Sequence, residues 1–396
     1  MFDTSSFRIR YKAPVEKPAL LFVGPGIVAF LLLLSLVHSF LVPMSLGSVL
    51  PAGLLSLLLP ISLIAVVALA VELWLGADEG YPWRRSFAAS GSGLLGGTLL
   101  VAAWAKVLDP VAFQEGLTQE GLGGLVPVAL VGLVAIALEV FLGSALVLGV
   151  RRMWTLVATG LLVAFFLFLN GRSYLAYMRG ATGDDAACGC FGNLLERTPA
   201  EAFWQDFFLL VPTLAMAALG LVVRARLNLR IAVAGALAAA ACGFAFFAPD
   251  LPLDDVATRL HPGLEVSSIC TGSGDERLCL PTLVPELAAG SHLVVLADLE
   301  DGGLARHVES LNRYWLGGAE PRLWVLAAAT PEQSQAFFWQ HGPSFEIREA
   351  PPTLLRPLYR QLPKSFVVED GVVAETYAGI PAGIVTPVGA AVGGSE

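Results

Sequence analysis

The chain has 396 residues, 56% of them hydrophobic and only 14% charged, with a formal net charge of −9. Soluble domains carry roughly 25% charged residues, so a deficit of this size makes lipid part of the solvent. The negative balance excludes the basic surfaces that nucleic-acid binding needs. Five cysteines are too few for a disulfide-built scaffold.

Residues 1–18 are polar and basic, with Arg8, Arg10, Lys12 and Lys17. The apolar run from Ala19 to Leu41 is about long enough to cross a ~30 Å hydrocarbon core. It exceeds the roughly 7–15 residues of a signal-peptide core and leads into Val42-Pro43-Met44, so it reads as a retained helix. Further runs at 54–76, 87–107, 125–148, 154–170, 207–223 and 231–248 bring the expected spans to seven. With the N-terminus inside, the inner segments hold Arg8, Arg10, Lys12, Lys17, Arg84, Arg85, Arg151, Arg152, Arg224, Arg226 and Arg230. The outer segments hold Arg172, Arg179 and Arg197, with Lys106 at a helix edge. That asymmetry predicts a multi-pass inner-membrane protein with a cytoplasmic N-terminus and an extracytoplasmic C-terminus. The connection 171–206 and everything after residue 248 then share the side where disulfides persist.

Beyond Asp250 the pattern changes to short strand-like runs: His292–Ala297, Arg322–Ala327, Phe345–Arg348, Ser365–Val368 and Val372–Tyr377. Helix-like runs alternate with them, at Gly303–Trp315, Pro331–His341 and Pro352–Gln361. The order predicts a mixed sheet with helices packed on it, ending in a hairpin turned at Glu369-Asp370-Gly371. The tail, 381–396, is small and flexible in character.

Chemistry centres on Ala187-Cys188-Gly189-Cys190-Phe191-Gly192. Two thiols one residue apart can close a small disulfide, with glycine permitting the turn, and strain makes such a bond easier to reduce. Redox exchange through Cys188 and Cys190 and a purely structural bond both stay open on spacing alone. A metal site is disfavoured because this connection contains no histidine. Glu139 lies inside the 125–148 run, where a carboxylate is costly and usually faces a bundle interior. Lys106 can snorkel from the end of its run, and Asp109-Pro110 reads as a helix-ending turn. A polar clamp between helices is the plain reading of these three residues, and proton chemistry the functional one. Glu72 and His38, near span ends, read as structural or interfacial. Cys270 and Cys279 flank a Gly-Ser-Gly-Asp turn and read as a structural disulfide across a hairpin. Cys242, among alanines, reads as a helix-packing residue.

Taken in order, Gly93–Gly97, Lys106-x-x-Asp109-Pro110-x-x-Phe113, Glu139-x-x-x-Gly143 and Cys188-Gly189-Cys190-Phe191-Gly192 resemble the MauE/DoxX-like membrane family, in its methylamine-utilisation MauE branch. The resemblance covers about residues 86–223. It implies a four-helix membrane bundle associated with extracytoplasmic redox maturation, and the family pattern falls on Lys106, Asp109, Glu139, Cys188 and Cys190. In the methylamine system that means helping a periplasmic dehydrogenase acquire its disulfides and protein-derived cofactor.

The C-terminal region resembles a thioredoxin-like fold, with Leu362-Pro363 placed where such proteins carry a cis-proline. Where a redox C-x-x-C would follow the first strand, the chain reads Asp298-Leu299-Glu300-Asp301-Gly302-Gly303.

The expected organisation is a cytoplasmic segment 1–18, two helices in 19–85, the bundle 86–223, a seventh helix in 224–248, an α/β domain 249–380 and the tail 381–396. The expected function is support of thiol–disulfide exchange, or of maturation, for an extracytoplasmic client such as a methylamine-dehydrogenase-like enzyme. A non-catalytic scaffold with a stapled outer loop is the first alternative. A small-solute carrier using Glu139 and Lys106 is the second, weakened by the scarcity of midplane polar residues. No cofactor is evident, and no feature identifies a site for a quinone, to which Glu139 could pass a proton.

Overall fold

The computed structural model describes residues 22–41, 52–74, 82–119, 127–179, 198–220, 227–271, 277–300, 302–381 and 383. The expectations for residues 1–18, for the turn at 272–275 and for nearly all of the tail lie outside the described residues. Eight helices come first among those described: α1 (Val23–Leu41), α2 (Ala52–Trp74), α3 (Pro82–Leu108), α4 (Pro110–Gln119), α5 (Val128–Val147), α6 (Met153–Met178), α7 (Pro199–Ala218) and α8 (Leu227–Phe247). Every expected span falls on one of them. Among the described residues, four stretches are long and apolar enough to cross a membrane: Trp83–Leu108, Val128–Val147, Met153–Met178 and Asn228–Asp250. The apolar stretches of α1 and α2 are shorter, Val23–Leu36 and Leu57–Glu72. The protein is a helical membrane protein with an α/β C-terminal region.

Two departures from the expected elements have local causes. Helix α7 begins well before residue 207 because Thr198 and Glu201 form a reciprocal cap. The Thr198 amide donates to Glu201 Oε2 (2.9 Å), the Glu201 amide donates to Thr198 Oγ1 (3.2 Å), and Pro199 occupies the first helical position. The expected helix Pro352–Gln361 is short: α13 (Pro352–Leu355) passes into a 3-10 turn, Arg356–Leu358. Pro357 has no amide to continue the ladder, Tyr359 is extended, and the chain bends through 360–363 into β6.

The chain packs as two compact units. The first comprises Met1–Ala102, Ala137–Leu169 and Phe203–Ala239. Here α3 is enclosed: residues 88–99 are buried without interruption. Association of helices in lipid favours small residues that let backbones approach, and the faces of α3 supply them. A Cβ on Gly96 would lie 2.7 Å from the Gly143 carbonyl of α5, and one on Gly91 2.4 Å from Met216 Cβ of α7. Leu95 and Leu99 fill the space beside these contacts with Leu142, Leu146, Leu156, Val163 and Leu210. On another face, Leu94 packs with Val28, Ile61 and Ala65 of α1 and α2.

One end of this unit is closed by an ionic node. Glu72 Oε1 accepts from Arg85 Nε (2.9 Å) and from Arg151 Nη2 (3.0 Å). Arg85 also donates to the Glu72 carbonyl (2.7 Å), Arg151 to the Gly220 carbonyl (2.9 Å) and Arg230 to the Leu148 carbonyl (3.0 Å). These bonds join the ends of α2, α3, α5, α7 and α8, and they satisfy carbonyls that helix termini leave open. Gly149, at φ +73°, keeps the turn close, since a Cβ there would lie 2.7 Å from Glu72 Oε2.

The second unit comprises Ala103–Ile136, Asn170–Ala202 and Ala240–Glu396. After the short helices α9 (Asp254–Ala257) and α10 (Leu280–Leu283), with the two-residue strands β1 (Cys270–Thr271) and β2 (Leu278–Cys279) between them, comes a five-stranded sheet. Its strands are β3 (Ser291–Ala297), β4 (Arg322–Ala327), β5 (Ile347–Glu349), β6 (Lys364–Glu369) and β7 (Val372–Ala378), in the order β5-β4-β3-β6-β7. β3, β4 and β5 are parallel, whereas β6 runs antiparallel to β3 and to β7. Alternation along β3 serves two cores. Leu293 and Val295 face α11 (Val308–Leu316) and α12 (Pro331–His341), while Val294 and Leu296 pack with Leu280, Leu287, Leu354 and Phe366. Both faces are covered, which is why the strands read as continuous apolar runs. The closing hairpin turns at Asp370 (φ 47°) and Gly371 (φ 82°).

Two substitutions test this packing, and a third, at an exposed pair, is the control. Gly96→Val is expected to cost about 1–3 kcal/mol through overpacking, read as a lower thermal midpoint in detergent. Glu72→Ala leaves Arg151, 1% exposed, without its carboxylate, and is expected to cost about 3–5 kcal/mol. Glu309→Ala, which breaks an exposed pair with Arg313, should leave the midpoint unchanged.

Candidate functional site at the α3–α4 elbow

The sequence-predicted residues separate into places. Lys106 and Asp109 lie at the end of α3 in the second unit, and Glu139, fully buried, lies on α5 in the first. Cys188 and Cys190 fall in 180–197, outside the described residues. Cys270 and Cys279 are register partners on β1 and β2 and form a disulfide. The Leu362–Pro363 peptide is cis, as is Glu320–Pro321. Cys242 lies in α8 with its sulfur 3.7 Å from the Leu133 carbonyl.

The elbow is built by Asp109. Its amide donates to the Ala105 carbonyl (3.4 Å), the last such bond of α3, and its own carbonyl accepts from the Phe113 amide (3.3 Å), opening α4. Oδ1 accepts from the Ala112 amide (3.0 Å), so the side chain is the N-cap of α4, and Pro110 takes the first helical position. The expected helix end is therefore also a helix start. Lys106, 1% exposed, directs its ammonium over the Phe113 ring, 5.2 Å from the centroid.

The C-terminal region meets this elbow through residues the sequence did not single out. Arg356 Nη1 is 3.8 Å from Asp109 Oδ2, and its Nε and Nη2 lie 2.9 and 2.7 Å from Glu115 Oε2 on α4. Arg356 also donates to the Tyr359 carbonyl (2.9 Å) and lies over the Tyr359 ring. Arg360 donates to the Ala248 and Leu251 carbonyls where α8 ends, and sits 3.7 Å from Asp254. Lys364 reaches Asp254 at 2.8 Å, and Gln361 donates to the Pro249 carbonyl (3.2 Å). Burial pushes the Asp109 carboxyl above the ordinary carboxylate range, against the pull of the Ala112 amide and the Arg356 charge. Burial likewise raises the Tyr359 phenol. The sequence signal for these contacts was thin: three cations within nine residues of an apolar stretch, Arg356 to Lys364.

After β3, the turn carries carboxylates. Asp298 Oδ1 accepts from the Glu300 amide (2.7 Å), and Glu300 accepts from Gln333 of α12 (2.8 Å). This turn has no thiol to exchange.

Residues 84–223 match the family described as methylamine utilisation protein MauE. The matched segment is about a third of the chain and takes in α3 to α7, with Lys106, Asp109, Glu139, Cys188 and Cys190. Helices α1, α2 and α8 and the C-terminal sheet lie outside it. No curated protein and no solved structure matches the chain.

Removing the cap by Asp109→Ala is expected to cost about 1 kcal/mol, whereas Asp109→Asn retains a capping oxygen and should cost less. Thermal midpoints of the two purified variants, with amide exchange in α4, make the comparison.

Proposed function

We propose that the protein supports thiol–disulfide exchange with an extracytoplasmic client, using Cys188 and Cys190. The observation that carries this reading is the MauE match across 84–223, which contains both cysteines and links the segment to methylamine utilisation. A client of the methylamine-dehydrogenase type fits that link. The proposed topology has seven spans in the inner membrane, a cytoplasmic N-terminus and an extracytoplasmic C-terminus. The Cys270–Cys279 disulfide supports this orientation, since such bonds persist in oxidising compartments.

In the proposed step a client thiolate attacks one sulfur of a Cys188–Cys190 disulfide, and the other sulfur leaves as a thiolate. A second client thiolate then resolves the mixed disulfide. The client ends oxidised by two electrons and the pair ends reduced, with thiol protons balancing the thiolates. The C-terminal region is read as a thioredoxin-like domain without its dithiol. The order β4-β3-β6-β7, with a cis-proline leading into β6, supports that assignment.

A second reading, a membrane assembly factor in which the Cys-Gly-Cys bond is structural, is favoured by the anchoring of Arg360 and Lys364 to the chain leaving α8. Alkylation of intact cells with a membrane-impermeant maleimide separates the two. Exchange predicts labelling of Cys188 and Cys190 after mild reduction and a trapped client on single-serine variants. Silence in both redox states, or full client maturation by the Cys188→Ser/Cys190→Ser protein, removes the exchange reading. A lower amount of protein with unchanged turnover per molecule supports the scaffold.

A further inference from the structure

The connection from α13 to β6, residues 356–363, fastens to its surroundings with two kinds of contact. Arg360 and the adjoining Lys364 are 5% and 2% exposed and bind the 248–254 segment, which tethers the region to α8. The Arg356 and Glu115 side chains are 19% and 54% exposed, and their ion pair joins positions 241 residues apart in sequence. The buried pair of cations holds whatever the solvent does. The Arg356 contact opens to solvent on its Glu115 side only, the guanidinium and Asp109 being largely covered, and an ion pair with an exposed partner is the weaker kind, shifting an equilibrium by roughly 1.5- to 5-fold.

We propose that Arg356 is a releasable electrostatic latch. Closed, it holds the connection 356–363 against α4 through Glu115 and the capping residue Asp109. Released, it frees the connection 356–363 from α4, while Arg360 and Lys364 keep the domain on its tether. The latch rests on the contacts of Arg356 and stands whether or not the thioredoxin-like reading of the region holds. It accounts for a feature that anchoring alone leaves unexplained: Asp109, already committed to the α4 cap through Oδ1, turns its second oxygen toward the domain.

Hydrogen exchange of the full-length protein in nanodiscs tests the latch. Arg356→Glu is expected to speed exchange of amides in 110–119 and 356–363 by roughly two- to tenfold, with the amides of β3 unchanged. Reversing the partner as well, in Arg356→Glu/Glu115→Arg, should slow exchange again toward the wild type, short of full recovery because a carboxylate at 356 still faces Asp109. Wild-type protein moved from about 0.1 M to about 1 M salt, where screening falls from ~10 Å to ~3 Å, should show the same local speeding. The proposal is overturned if both segments keep their rates in Arg356→Glu and in high salt, or if the doubly reversed protein exchanges as fast as the single variant. Should Arg356→Glu fail to accumulate, the salt series on the wild type decides. Failure of Cys188 and Cys190 to react in the alkylation experiment would remove the exchange reading and leave this outcome untouched.

Discussion

Lipid offers helices no hydrophobic reason to associate, since the acyl chains are as apolar as leucine. Close backbone approach has to supply the attraction, and it can do so only where side chains are nearly absent. Helix α3 meets that constraint more completely than its neighbours: 83% of its most apolar window lies inside the protein, against 28% for α6 and 22% for α8. Gly96 facing Gly143 and Gly91 facing Met216 set the distances at which α5 and α7 can lie. The leucines beside these contacts then fill spaces whose width the glycines have fixed. The hub is a helix of modest hydropathy for this reason. Its small residues raise packing and lower apolarity together.

A bundle held by close packing leaves its helix ends to be satisfied separately. The node at Glu72 does this with one carboxylate and arginines that also donate to backbone carbonyls. The same arginines create the charge asymmetry from which orientation is read. Their two roles are compatible because Arg85 and Arg151 come from adjacent pairs, Arg84-Arg85 and Arg151-Arg152, and Arg84 is exposed while Arg151 is buried.

The helices of the membrane region were legible in the sequence because length and apolarity are properties of a run and need no partner, and four of them are long and apolar enough to cross a membrane among the described residues. The sheet was legible for a related reason: β4 and α12 have the expected bounds, since each is closed by local signals such as the Thr330 capping box and the left-handed Gly342. The Cys270–Cys279 hairpin was legible from the turn residues between the cysteines. What depends on distant partners was not. Glu72 looked like an isolated charge because its partners stand 13 and 79 residues away. The helix expected over 352–361 had a suitable pattern, but Pro357 and the pull of Arg356 and Arg360 toward α4 and α8 replaced it with a 3-10 turn and a bent connection.

The elbow also changes what the Lys106-x-x-Asp109-Pro110-x-x-Phe113 pattern signifies. Asp109 caps, Pro110 starts α4, and Phe113, one turn in, lies beneath the ammonium of Lys106, almost one turn before the bend. The spacing is thus a local prescription for bending the chain between two helices and for covering the Lys106 ammonium buried beside the bend. Chemistry at Asp109 would have to operate on a carboxylate already committed to the backbone at one oxygen and facing Arg356 with the other. That geometry suits a joint better than an acid or base in turnover.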